Sequence, residues 1–71
     1  MVTIDEIRKN LREEIKNSKV KQVEIARAVG IKEATMSQYL HTNTMPSLET
    51  FARICQFLDL DANEVLGIKK I

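Results

Sequence analysis

The residues best placed to do chemistry lie close together: Glu33, Ala34, Ser37, Gln38 and His41. At helical spacing they share an outward face, because Met36, Tyr39 and Leu40 fall on the opposite one as an apolar stripe. This set offers a carboxylate acceptor, a methyl group, a hydroxyl and a carboxamide, which suits recognition by hydrogen bonding and contact. The rest of the inventory argues against catalysis. The chain has no nucleophile–base pair and no Gly-rich phosphate loop, and its core leaves little room for a substrate pocket. With one Cys and one His, the four ligands of a zinc site are not available. No metal, no cofactor and no enzymatic activity are therefore expected.

The elements that must position this face are two short helices around a tight turn, residues 20–40. Ile25, Ala26 and Val29 form the apolar stripe of the first helix, and Gly30 stops it with a residue that can adopt the left-handed conformation. The second helix, about residues 33–40, starts within a few residues. Val20 is spaced to meet Ile25 and Ile31 to meet Met36 as hydrophobic staples, which would fix both entry angles. A helix pair joined by a short turn containing Gly is the helix-turn-helix pattern, whose second helix can enter a DNA major groove. Helical hairpins with Gly turns also occur in proteins that never touch DNA, so both readings stand on the pattern alone.

The 71 residues suit one domain, residues 1–71, with a core over about 3–66 and a tail at 67–71. Such a chain is at the small end of what folds alone. Aliphatic residues dominate, Trp is absent, and there are one Pro and two Gly, a composition for an all-α fold. Cys55 has no partner for an internal disulfide, and no apolar run has the length of a signal h-region or a membrane span. A cytoplasmic protein that does not engage membranes is expected. The net charge of +1 hides segregation. Residues 15–44 carry Lys16, Lys19, Lys21, Arg27 and Lys32 against Glu24 and Glu33; residues 45–66 carry Arg53 against Glu49, Asp59, Asp61 and Glu64. The helix pair sits on the basic side, as an anion-facing surface would.

The remaining helices follow from caps and stripes. Thr3-Ile4-Asp5-Glu6 has capping-box form and opens a first helix running to about Asn17, with Ile4, Ile7, Leu11 and Ile15 as its buried stripe. His41 to Met45 reads as a polar loop. Pro46-Ser47 ends it, with Ser47 the N-cap of a fourth helix whose buried stripe is Leu48, Phe51, Cys55 and Leu58. Cys55 is read as a small core residue. Tyr39 is read as core, with its hydroxyl near the surface. Asp61-Ala62-Asn63-Glu64 opens a short fifth helix with Val65 and Leu66 inward.

Five helices with the pair in second and third place, then Pro46-Ser47-Leu48-Glu49-Thr50 and Asp61-x-x-Glu64-Val65-Leu66, resemble the phage repressor and Cro (Xre-type) DNA-binding domain. The resemblance covers Ile7 to Leu66 without a gap, through Gln22, Ile25-Ala26, Val29-Gly30-Ile31, Met36-Ser37, Pro46-Ser47-Leu48 and Leu58. It implies a compact five-helix, lambda-repressor-like bundle that binds double-stranded DNA with its third helix in the major groove. By that resemblance the base-reading residues are Glu33, Ala34 and Gln38. Their chemistry suits cytosine N4, the thymine methyl and adenine N6/N7 respectively. Thr35 and Ser37 are expected to reach phosphate or sugar. Gln22 would contact phosphate and buttress Glu33, and Asn43 is a further phosphate candidate.

Three positions depart from the family pattern. Where the family often pairs Arg and Glu across its first and third helices, this chain has Ile15 and Leu40. Losing one partner would strand a charge at about 3–5 kcal/mol, whereas replacing both with packed aliphatics is often neutral or stabilising; Ile15 is expected to touch Leu40. Thr42 stands where the family has Gly. Lys21 and Lys32 stand where it favours Ser or Thr caps, forgoing roughly 1 kcal/mol each. Either these lysines meet DNA phosphates at the two helix starts, or they are solvated and leave the caps to water.

One such domain contacts only half a turn of duplex, so the resemblance implies a homodimer on a palindromic operator, with half-sites about 34–36 Å apart. Phe57, Leu66, Ile68 and Ile71 are the candidates for its interface. The alternative is a protein-interaction or antitoxin-like module on the same fold, in keeping with the near-neutral total charge and the acid in the reading helix.

Overall fold

The computed structural model describes residues 2–68. Five helices follow one another with short connections: α1 (Ile4–Ser18), α2 (Gln22–Val29), α3 (Glu33–His41), α4 (Leu48–Leu58) and α5 (Ala62–Leu66). No strand occurs among the described residues. The starts are where the capping residues place them. Thr3 Oγ1 accepts from the Glu6 N–H at 3.2 Å, Ser47 Oγ from Thr50 at 3.2 Å, and Asp61 Oδ1 from Asn63 and Glu64 at 3.0 and 3.4 Å. Each bond satisfies a first-turn donor that the helix itself cannot.

Four of the five helices end on a left-handed residue. Gly30 ends α2 at φ +79, its N–H turned back to the Ala26 and Arg27 carbonyls, and Ile31 N–H adds a bond to Ala26 at 3.0 Å. The chain has then reversed and restarts as α3 after Lys32. At the ends of α1 and α4 the left-handed residue is not glycine but Lys19 (φ +60) and Asp59 (φ +54), conformations that cost an L-residue about 1 kcal/mol or more.

The core takes Leu11 and Ile15 from α1, Ile25, Ala26 and Val29 from α2, and Met36 and Tyr39 from α3. Phe51, Ile54 and Cys55 come from α4 and Val65 from α5. Val20, Ile31, Leu40, Leu58 and Leu66 pack on it from the edge. α2 packs against α3 and α4, and α1 against α5, where the Asn10 carboxamide also donates to the Val65 carbonyl at 3.0 Å. Cys55 is a buried free thiol, and that burial pushes its pKa up.

Three expectations are corrected here. Leu48 is 81% exposed and Ile4 53% exposed, although each falls on its helix's apolar stripe. Both are first residues of their helices. Helical side chains lean toward the N-terminus, so at the first position they lean past the body of the domain. In α4 the core also takes Ile54, which is fully buried and lies outside the expected stripe. The third is His41, which is the last residue of α3 rather than the first of the loop.

Candidate nucleic-acid interface

α3 is held on its inner side by Met36 and Tyr39, both buried, and at each end by a side chain from another helix. At its start, Gln22 Nε2 donates to the Glu33 carbonyl at 3.4 Å, a long bond that ties the α2 entry to the α3 entry. At its end, Arg12 of α1 donates from Nε to the Tyr39 carbonyl at 3.1 Å and from Nη2 to the Thr42 carbonyl. Arg8, one turn earlier, donates to the Asn43 carbonyl at 3.1 Å and pairs with Asp5 at 2.8 Å. Two guanidinium groups thus face the carbonyl end of α3, where the helix dipole is negative. Sequence pattern assigns neither arginine a role directly. The available signal is spacing: Arg8, Arg12 and Ile15 lie at i, i+4 and i+7, one stripe that points at the same neighbour.

Thr42 needs no glycine conformation. Its backbone is extended (φ −126, ψ −177), its hydroxyl donates to the Gln38 carbonyl at 2.8 Å, and it accepts from the Thr44 N–H at 3.2 Å. The hydroxyl supplies a closure of this loop that a glycine could not. Ile15 is buried, Leu40 is half-buried against the core, and both line one cavity. Neither side chain stands in solvent.

With α3 fixed in this way, Glu33, Ala34 and Gln38 stand exposed on its outer face, and Thr35 and Ser37 are half-buried on its flanks. Lys21 and Lys32 are the N-caps of α2 and α3, both exposed, and neither makes a side-chain cap bond. Gln22 is half-buried and Asn43 exposed in the loop beyond α3. The structure brings Gln22 and Glu33 together and leaves the other outward residues free of one another.

Electrostatics favour an anion on this side. Among the described residues the ion pairs are Arg8–Asp5 and Arg53–Glu49, so Lys16, Lys19, Lys21, Arg27 and Lys32 are not neutralised by acids there. Two uncapped helix starts add the positive ends of their dipoles. No group of three or more His, Cys, Asp or Glu side chains among the described residues could hold a metal ion, and no helix there is long and apolar enough to cross a membrane.

Of the candidates for self-association, Phe57 is 47% and Ile68 52% exposed, while Leu66 is half-buried against the core. Ile71 lies outside the described residues. Val2 and Ile4 add exposed apolar surface, and Val2 lies beside Gly67, next in the chain to Ile68.

Compared with known proteins, the chain matches the family model described as the Cro/C1-type HTH DNA-binding domain over residues 10–70. No curated protein and no solved structure matches it.

Proposed function

The chain belongs to the Cro/C1-type helix-turn-helix DNA-binding domain family, and from that membership we propose that it is a sequence-specific transcriptional regulator of the repressor/Cro kind. α3 lies in the major groove with Glu33, Ala34 and Gln38 against base edges. Thr35, Ser37, Gln22 and Asn43 engage phosphate or sugar, and Lys21 and Lys32 meet phosphates at the two helix starts. One observation carries the reading. The face of α3 that holds these three residues is exposed, while its other face and both its ends are anchored to the domain.

It binds as a homodimer to a palindromic operator in the cytoplasm. Phe57, Leu66 and Ile68 contribute to the subunit interface, and Ile71, which lies outside the described residues, is the fourth candidate. Selection of bound duplexes from a random pool tests both steps. A palindrome with half-sites about one helical turn apart supports them, and recovery of unrelated sequences would sink the reading. Sedimentation with and without the selected duplex tests the dimer separately.

A second reading, a protein-interaction or antitoxin-like module, is favoured by the net charge of +1 and by an acid, Glu33, at the front of the reading face. DNA retention that falls steeply with salt supports the first reading. Saturable binding to a protein partner without DNA retention supports the second.

A further inference from the structure

A cavity of about 360 Å³ opens between the end of α1, the start of α2 and the end of α3. Its apolar lining is Ile15, buried, with Val20 and Leu40, half-buried. The polar groups around it are Arg12, Lys16, Gln22 and His41. We infer that this cavity binds a small amphipathic monocarboxylate, its apolar body against Ile15, Val20 and Leu40 and its carboxylate on Lys16.

Size and chemistry both point there. The volume lies in the range of small-molecule sites, which combine apolar walls with a few polar groups that orient the ligand. An aliphatic or aryl chain entering it exchanges water for three aliphatic side chains, which favours binding through the apolar surface removed from water. The polar set contains two cations and no carboxylate, so a cationic ligand would find no counter-charge. Arg12 already commits Nε and Nη2 to the Tyr39 and Thr42 carbonyls. Lys16 is exposed and forms no ion pair among the described residues, which leaves it as the available cation. One ammonium in the lining matches one negative charge, and a carboxylate on a hydrocarbon body is the group that satisfies this cation and the apolar wall together.

The cavity also borders the reading helix. Gln22 lines it and bonds to Glu33, and His41, at the far end of α3, lines it as well. An anion seated in a cavity that shares these residues opposes the approach of DNA phosphate, so occupation lowers DNA affinity; this coupling rests on the function proposed above.

The test is a titration of the isotope-labelled protein, followed by backbone amide shifts, with decanoate, 4-phenylbutyrate, 1-decanol and acetate as probes. Both amphipathic carboxylates should produce saturable shifts centred on residues 12–22 and 38–43, with acetate far weaker. K16Q should weaken decanoate about tenfold, the order of one charge-assisted hydrogen bond, without changing decanol; K9Q, also on α1 but outside the cavity, should change neither. Absence of saturable shifts, shifts centred instead on Val2, Ile4 and Phe57, or decanol binding as tightly as decanoate would each overturn the site. Circular dichroism of K16Q establishes that the variant is folded. Saturating decanoate should also weaken retention of duplexes selected by the free protein, and unchanged retention overturns the coupling. A protein that retains no duplex at all overturns the proposed function, while the shift titration decides the carboxylate site independently.

Discussion

Arg12 of α1 donates its Nε to the Tyr39 carbonyl at 3.1 Å and also reaches the Thr42 carbonyl, joining residues 27 and 30 positions apart in sequence. It completes the carbonyl end of α3, which no intrahelical donor can satisfy. One of the two bonds is solvent-exposed and the other partly buried, so Arg12→Ala should lower unfolding free energy by about 1–2 kcal/mol. Arg12→Lys should recover only part of this, because an ammonium cannot present the guanidinium's fixed fork to two acceptors. Urea denaturation with an unchanged m-value measures both. Full stability in the Arg12→Lys variant would show that charge alone acts there.

Gln38→Ala should cost about 1–3 kcal/mol of binding to the selected operator and relax the preference at one base pair per half-site. Folding stability should move by no more than about 0.5 kcal/mol, because the side chain is on the surface. Competition with operators changed one base pair at a time measures this. A uniform weakening against every sequence would move Gln38 from reading bases to touching phosphate.

Lys21→Ser with Lys32→Ser restores the missing caps. Stability should rise by roughly 1 kcal/mol per site, while DNA affinity falls and the slope of log K against log salt becomes shallower by about 0.9 for each phosphate no longer neutralised. An unchanged salt slope with the same rise in stability would identify the two lysines as merely solvated.

Cys55 gives a pH dependence whose sign follows from its burial. The folded protein holds the thiol above its ordinary range because burial disfavours the thiolate. Below the unfolded value of about 8.5 both states carry the proton, and stability is at its full level. As pH rises beyond that value the unfolded chain ionises first, so stability drains away toward the folded pKa. Denaturation curves from neutral to alkaline pH, with Cys55→Ala as reference, should diverge above about 8.5. Parallel curves would contradict the assignment.

Much of this architecture is legible in local pattern. Thr3, Ser47 and Asp61 start helices as their types dictate, Gly30 makes the turn, and the stripe of Met36 and Tyr39 sets the outward face of α3. These are interactions within one or two turns, where residue type and spacing contain the whole cause. Leu48 and Ile4 escape that logic because periodicity assigns a direction around a helix but not whether the body extends beneath its first residue. Arg8 and Arg12 escape it because their partners are backbone carbonyls some thirty positions away, which carry no residue-type signature. Thr42 shows the same limit: its hydroxyl serves the loop in a way that a missing glycine does not suggest.

α3 is tethered through main-chain carbonyls at both ends, at Glu33 by Gln22 and at Tyr39 by Arg12, and neither tether uses a side chain from its outer surface. The groups there are consequently interchangeable cargo on a fixed mount. On the proposed function, retargeting to a new duplex sequence should require transplanting only a handful of side chains, with no repair elsewhere in the molecule.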